Sequence, residues 1–271
     1  ILDADERVVM TLNPCPQGYD HVLDEAERAY QVAHEQYHFK PCQWSHRRGP
    51  FPCVSCGGSY GGGQQRVGNL KHSAHNRAVL EDCLLNNWAI RNLAGLVNRT
   101  FRNVAPDMYR EYGDILTKVC ENDPRVRKNF SNSVFAAATF NFGPQTCTKP
   151  HKDHLNVPTG WCAVVALGDF DADEGGHLIV WDLNLMIRFP RGTIIFLPSA
   201  LFLHSNTTVP KGQCRYSFTQ YTAGGLARWV ECGFMSQKEF LRRGHAFSRT
   251  AQRRWEEGLA RLPKWSNWHT Q

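Results

Sequence analysis

Apolar positions recur at helical spacing over 20–38, where Val22, Leu23, Ala26, Tyr30 and Ala33 stand on a charged background, and this rhythm predicts a helix. Residues 41–69 lose it. Pro, Gly and Cys dominate there, and the stretch closes on Gly57-Gly58-Ser59-Tyr60-Gly61-Gly62-Gly63-Gln64-Gln65, which predicts a loop region. Two long helices are expected next, over about 70–98 and 105–121, divided at Pro106. The texture changes again near 131. Ser131 to Phe142 reads as extended, and short strand-like runs follow at 161–167, 177–181, 193–197, 201–204 and 214–221, parted by turns of Gly, Pro or Asp. Short strands at this spacing point to a sandwich or barrel. Ser236 with Glu239 has the form of a capping box opening a last helical stretch. The pattern therefore predicts an α+β fold in one domain over 1–271. Its parts are a helical N-terminal support region (1–130), a jelly-roll core (131–225) and a helical C-terminal extension (226–271).

Composition changes this picture little. The chain is 42% hydrophobic and 21% charged, ordinary for a globular protein. No apolar run approaches the ~20 residues that span a bilayer. No basic stretch followed by an apolar one opens the chain, so no secretory leader is expected within it. Ten cysteines are scattered widely rather than clustered, which favours free thiols in a reducing compartment over a disulfide framework. The sequons at Asn98, Asn129 and Asn206 are then accidental. Charge is more informative. Nine Lys/Arg against four Glu over 228–264 give +5 of the chain's +6, a basic stretch that suits a polyanion or simply forms a solvated helix face.

The chemistry centres on His151-Lys152-Asp153. In an extended segment, residues i and i+2 point to the same side, so this His and Asp can share one ion. His204 follows 51 residues after Asp153, behind the apolar run Leu201-Phe202-Leu203, and supplies a third ligand. Two His and one carboxylate leave open positions on the metal, the arrangement of non-haem Fe(II) oxygenases. Eleven residues beyond His204, Arg215 opens Arg215-Tyr216-Ser217-Phe218-Thr219-Gln220-Tyr221, and alternation puts Arg215 and Ser217 on one face. A guanidinium pointed into a small barrel is costly unless it meets an anion, and its fork with a neighbouring hydroxyl suits a carboxylate. Alone, His204 would read as a core histidine; its spacing to Arg215 argues otherwise.

Together with Gly175-Gly176-His177-Leu178, Pro190-Arg191-Gly192-Thr193 and Pro198-Ser199, these residues resemble the double-stranded β-helix of Fe(II)/2-oxoglutarate dioxygenases across about 131–225. The resemblance implies Fe(II) on His151, Asp153 and His204, 2-oxoglutarate on Arg215 and Ser217, and O2 as oxidant. Decarboxylation to succinate would be coupled to oxidation of a substrate C–H bond. Two further segments are similar to the TET/JBP family of nucleic-acid base oxygenases, in its compact fungal form. One is His151-Lys152-Asp153-His154-Leu155-Asn156, whose Asn156 would hydrogen-bond a flipped base. The other is Arg47-Arg48-Gly49-Pro50-Phe51 with Ser59-Tyr60-Gly61-Gly62-Gly63-Gln64; its Gly62, Gly63 and Gln64 would let backbone approach DNA, or form a loop with no ligand. The interval between Asp153 and His204 leaves no space for the long insert of the large animal members. Of their cysteine-rich zinc region only Cys42, Cys53 and Cys56 remain, with His38 or His46 nearby, and these read more simply as thiols. The implied function is oxidation of 5-methylcytosine in double-stranded DNA by a nuclear, monomeric enzyme. N6-methyladenine is the alternative base. A protein or small-molecule hydroxylase on the same core and an inactive binding module are the readings from other classes.

Overall fold

The computed structural model describes residues 1–268. In chain order it holds β1 (Thr11–Asn13), α1 (Asp20–Gln36), α2 (Pro41–Trp44), β2 (Cys53–Ser59), β3 (Gly68–Asn69), α3 (Ala74–Val79), α4 (Trp88–Val104) and α5 (Pro106–Asn122). The strands β4 (Ala137–Asn141), β5 (Cys162–Leu167), β6 (Leu178–Val180), β7 (Leu185–Ile187), β8 (Ile194–Leu197), β9 (His204–Asn206) and β10 (Tyr216–Tyr221) follow, then α6 (Gly224–Glu231), α7 (Gln237–Arg242) and α8 (Ala251–Ala260). The strands form an antiparallel seven-stranded sheet, β1-β8-β5-β10-β4-β2-β3, and a three-stranded sheet, β7-β6-β9. Helices flank this jelly-roll core, the mixed architecture the sequence pattern predicts.

Side-chain alternation explains the layering. In β5, Ala163, Val165 and Leu167 join the helices in one hydrophobic cluster, while Cys162 and Ala166 face Leu178 and Val180 of the small sheet in another. In β8, Ile194 and Phe196 take the helical side, and Ile195 and Leu197 the small-sheet side. Both faces of these strands are buried, so their sequences read as continuous apolar runs rather than as alternation. Tyr30 of α1 anchors the helical layer: it is fully buried and donates to Ser217 O at 2.9 Å. No helix among the described residues is long and apolar enough to cross a membrane. All ten cysteines are free.

Three expectations are corrected. The long helix over about 70–98 is interrupted: α3 runs into a π-helical turn at Leu80–Leu85, and α4 starts afresh after Asn87. The Asn87 side chain accepts from Ala89 N and Ile90 N, so a cap stands where periodicity alone would continue the helix. The second correction concerns 41–69, which holds a seven-residue strand, β2. β2 pairs with β4 from Cys53↔Asn141 to Gly57↔Ala137. A Cβ on Gly57 would lie 2.4 Å from Ala136 O, so the small residues that suggest a loop are what a close backbone approach requires. The third is the capping box. Ser236 caps Glu239 N, but the Glu239 carboxylate binds Arg242 and Arg243 instead of reaching back.

Candidate metal centre

His151 and His204 face each other across one antiparallel rung. His151 N donates to His204 O at 2.9 Å and His204 N to His151 O at 3.0 Å. The imidazole centroids lie 4.3 Å apart. Asp153 is held by its own main chain, N to Ser199 O at 2.8 Å. Its carboxylate reaches both rings, Oδ1 being 3.9 Å from His151 Nε2 and Oδ2 4.0 Å from His204 Nε2. The three ligand atoms all fall within 4.8 Å of one another, the sole such group among the described residues. Each imidazole has its Nδ1 on a backbone carbonyl, Lys149 O at 2.8 Å and Phe202 O at 2.9 Å. A carbonyl only accepts, so Nδ1 carries the proton and the Nε2 lone pairs are left for a metal.

Electrostatics fit that role. Burial, then the neighbouring His204, pushes His151 down to about 4, and burial lowers His204 as well, so both rings are neutral near pH 7. Burial alone would raise Asp153; the charge of Arg48 foremost outweighs it and holds the carboxyl below its ordinary range. Asp153 Oδ1 is buried and forms no hydrogen bond, although Arg48 Nη2 stands 3.1 Å away, out of line for one. A buried carboxylate oxygen without a hydrogen bond, beside two free imidazole lone pairs, suits a divalent cation.

Arg215, just before β10, is 3% exposed. It has no acidic partner among the described residues; Nη1 donates to Thr146 O at 3.0 Å, and Nε is buried without a hydrogen bond. The rings of Phe189 and Phe170 stand 5.6 and 5.9 Å from its guanidinium carbon. Burial pulls it down to about 10, so it remains a cation at neutral pH. Thr146 O also accepts from Asn206 Nδ2 at 2.8 Å. Asn206 shares a face of β9 with His204, so guanidinium and metal strand are referenced to one carbonyl. Ser217, 4% exposed, accepts at Oγ from Asn141 Nδ2 at 3.0 Å. A buried, unneutralised guanidinium, two residues before a buried serine on the same strand edge, fits the carboxylate of 2-oxoglutarate, and the triad fits Fe(II) with positions open to the co-substrate and O2.

Asn156 closes the turn after Asp153, its N–H on Asp153 O at 2.9 Å. Its Nδ2 donates to Ser199 Oγ at 2.9 Å, which leaves Oδ1 as an acceptor. The glycine loop comes to the same place: a Cβ on Gly61 or Gly62 would lie 3.7 or 3.8 Å from the Leu155 methyls. Gly63 has open space beside it, and Gln64 N closes the loop on Gly61 O. Two cations border the centre that composition did not single out. Arg48 is 3.1 Å and Arg47 3.6 Å from Asp153 Oδ1. The Arg47-Arg48 pair belongs to a segment that carries the family resemblance, whereas no motif in the sequence singles out Asn141. Its signal was a Thr139/Asn141 alternation inside a strand that is buried throughout.

Several arginines of the basic C-terminal stretch are ion-paired within it, although nine Lys/Arg against four Glu leave it at +5. Arg242 and Arg243 bind Glu239, Arg249 bridges Glu231 and Glu257, and Arg253 binds Glu257. The possible zinc ligands Cys42, Cys53, Cys56, His38 and His46 do not converge. Cys53 and Cys56, three apart in a strand, point to opposite faces, and burial pushes the Cys56 thiol up to about 12. The sequon amides are engaged: Asn98 Oδ1 accepts from Val134 N, Asn129 Nδ2 donates to Cys56 O, and Asn206 is buried.

No family model matches the chain, and no curated protein matches it in sequence. Solved structures do match. NgTET1 in complex with 5mC DNA aligns with a TM-score of 0.58 at 13% identity, over 82% of this chain and 75% of that one. OsALKBH1 gives 0.46 at 14%, over 80% and 99%. A 2OG-Fe(II) oxygenase family oxidoreductase from Burkholderia pseudomallei gives 0.38 at 14%, over 78% and 93%. The first of these likenesses shows a shared fold.

Proposed function

We propose that this chain is an Fe(II)/2-oxoglutarate-dependent dioxygenase that oxidises a methylated DNA base, 5-methylcytosine first. The observation that carries the enzymatic part is the pairing of a His-Asp-His set with a buried arginine that has no acidic partner among the described residues. Such a cation is expensive to keep unless a ligand neutralises it. Iron bound to His151, Asp153 and His204 supplies oxidation of a C–H bond at the expense of 2-oxoglutarate and O2. The protein's part is positioning. The two carbonyl-held imidazoles present Nε2 in a fixed tautomer. Arg215, with Ser217 beside it, takes the distal carboxylate of the co-substrate, and Phe170 and Phe189 keep water from that ion pair. Asn156 Oδ1 accepts from the exocyclic amine of an extruded base, with Ser199 fixing the amide's orientation.

Two features of the rim suit a nucleic acid. Arg47 is 58% exposed at the rim, where it can meet phosphate, and Gly62, Gly63 and Gln64 stand on the loop that packs beside Leu155. The matched structure of NgTET1 is a complex with 5mC DNA. The reading includes a nuclear site of action. In this reading 1–271 acts as a monomer and as one dioxygenase domain; α8 packs on the segment that follows Asn156, where a Cβ on Gly258 would meet Thr159 Oγ1 at 2.2 Å, which supports the single domain. Because the free Asn156 acceptor suits the amine of cytosine or of adenine, N6-methyladenine remains the second candidate base.

The test is nucleoside mass spectrometry after incubation with Fe(II), 2-oxoglutarate and methylated duplexes. Hydroxymethylcytosine and its higher oxidation products support the reading. Formaldehyde with unmodified adenine and no cytosine product replaces it with the adenine alternative. Succinate formed on peptides, with no DNA product, defeats the nucleic-acid assignment and leaves a protein hydroxylase.

A further inference from the structure

Leu155 lies between the metal ligand Asp153 and the base-binding Asn156, and it is 61% exposed. Exposed leucines are common on protein surfaces and mean little singly. This one differs in how it is held. His154 and Leu155 form the tip of a turn whose ends are fixed by Asp153 N to Ser199 O and Asn156 N to Asp153 O. Beyond it, Val157 N donates to Thr222 O at 3.1 Å. Leu155's own carbonyl accepts from Gly224 N at 2.8 Å. Its backbone is therefore as constrained as the metal ligands, while its side chain projects. On one side it meets Gly61 and Gly62, which offer backbone and no side chain to cover it. The same rim carries Arg47, exposed, and Lys152, paired only with Asp182 at 3.1 Å.

We infer that Leu155 is a wedge that enters the duplex and fills the space vacated by the extruded base. The inference deepens the nucleic-acid reading above and rests on it. Extruding a base breaks two stacking contacts and leaves a gap of one base's thickness. Proteins that open duplexes commonly fill such gaps with an apolar side chain, recovering buried surface. A wedge must be apolar, rigidly mounted, adjacent to the pocket that receives the base, and flanked by cations that draw the backbone in. Leu155 meets all four conditions. The glycines beside it let the second strand's backbone pass close to the turn.

A wedge matters for a duplex and not for a single strand, where no stack has to be opened. The experiment compares wild type, Leu155→Ala and Leu155→Met on a duplex bearing one 5-methylcytosine and on the single strand of the same sequence, following product by mass spectrometry. Leu155→Ala should lower duplex turnover about tenfold or more, with single-strand turnover within about twofold of wild type. Leu155→Met, apolar and of similar length, should restore the duplex activity. A duplex-to-single-strand ratio unchanged by Leu155→Ala, or an equal loss on both substrates, overturns the wedge while leaving the DNA oxygenase standing. Wild-type protein that oxidises neither substrate removes the nucleic-acid reading and the wedge together.

Discussion

Replacing Arg215 with Met should make the ligand-free protein more stable and at the same time end its use of 2-oxoglutarate. The guanidinium is wholly buried and burial brings it down to about 10. At 1.36 kcal/mol per decade, that fall from the ordinary arginine range costs the folded state about 3 kcal/mol. The sign follows from linkage. The unfolded chain holds this proton more tightly, so the penalty is fully present at neutral pH and fades only as pH rises through about 10 toward the ordinary arginine value. Met removes the charge but loses the hydrogen bond to Thr146 O, about 1 kcal/mol, and the ring contacts. Thr146 O is not orphaned, because Asn206 Nδ2 still donates to it. The net expectation is a gain of about 1–2 kcal/mol without ligand. Toward 2-oxoglutarate the same change removes a buried charge-assisted pair, a loss of about 2–5 kcal/mol, or roughly thirtyfold to several-thousandfold in affinity. Thermal unfolding with Mn(II) in place of iron, with and without 2-oxoglutarate, reads both effects in one titration. A variant that melts lower than wild type without ligand, or that keeps the wild-type dependence on 2-oxoglutarate, would refute the reasoning.

Asp153→Ala and His204→Ala should abolish both metal binding, followed by Mn(II) titration, and succinate formation; wild-type turnover in either would move the metal elsewhere. Asn156→Ala should lower base oxidation by about tenfold to a hundredfold, the worth of one or two lost decades of positioning, with 2-oxoglutarate binding measured by thermal shift kept. Neutralising Arg242 and Arg243 together should leave the salt dependence of DNA binding nearly unchanged, because Glu239 already engages both; a slope reduced by about two would restore them as phosphate contacts.

The site was more legible than its support. His151, Asp153, His204 and Arg215 stand out because their spacing carries a geometric demand that ordinary core residues do not share. The strands with continuous apolar runs, β5 and β8, could be found because length and flanking turns mark a doubly buried strand. β1 and β7 hold three residues each, too few for any period to register. β2 is hidden for a different reason: Gly57 is a glycine because the backbone of the neighbouring strand leaves no space for a Cβ, and close approach is a property of the pair of strands. Arg48 sits next to Asp153 only through the fold, as does Asn141 next to Ser217, 76 residues apart along the chain. In the basic C-terminal stretch, counting charges along the sequence gives the excess but not which glutamates pair with which arginines.

The reciprocal rung between His151 and His204 has a consequence for how the protein takes up and releases its ion. The small sheet is made of strands of only three residues each, and such short ladders open easily on their own. His204 belongs to that sheet, whereas His151 and Asp153 belong to the segment leading into the large one. A bound ion would therefore act as a cross-tie between two layers, closing a clasp whose other fastening is two main-chain hydrogen bonds. Loading should slow amide hydrogen exchange across 178–187 and 204–206 far more than in α4 or α5, and iron should leave no faster than that clasp opens. Iron retention in this protein is then set by the breathing of its smallest sheet.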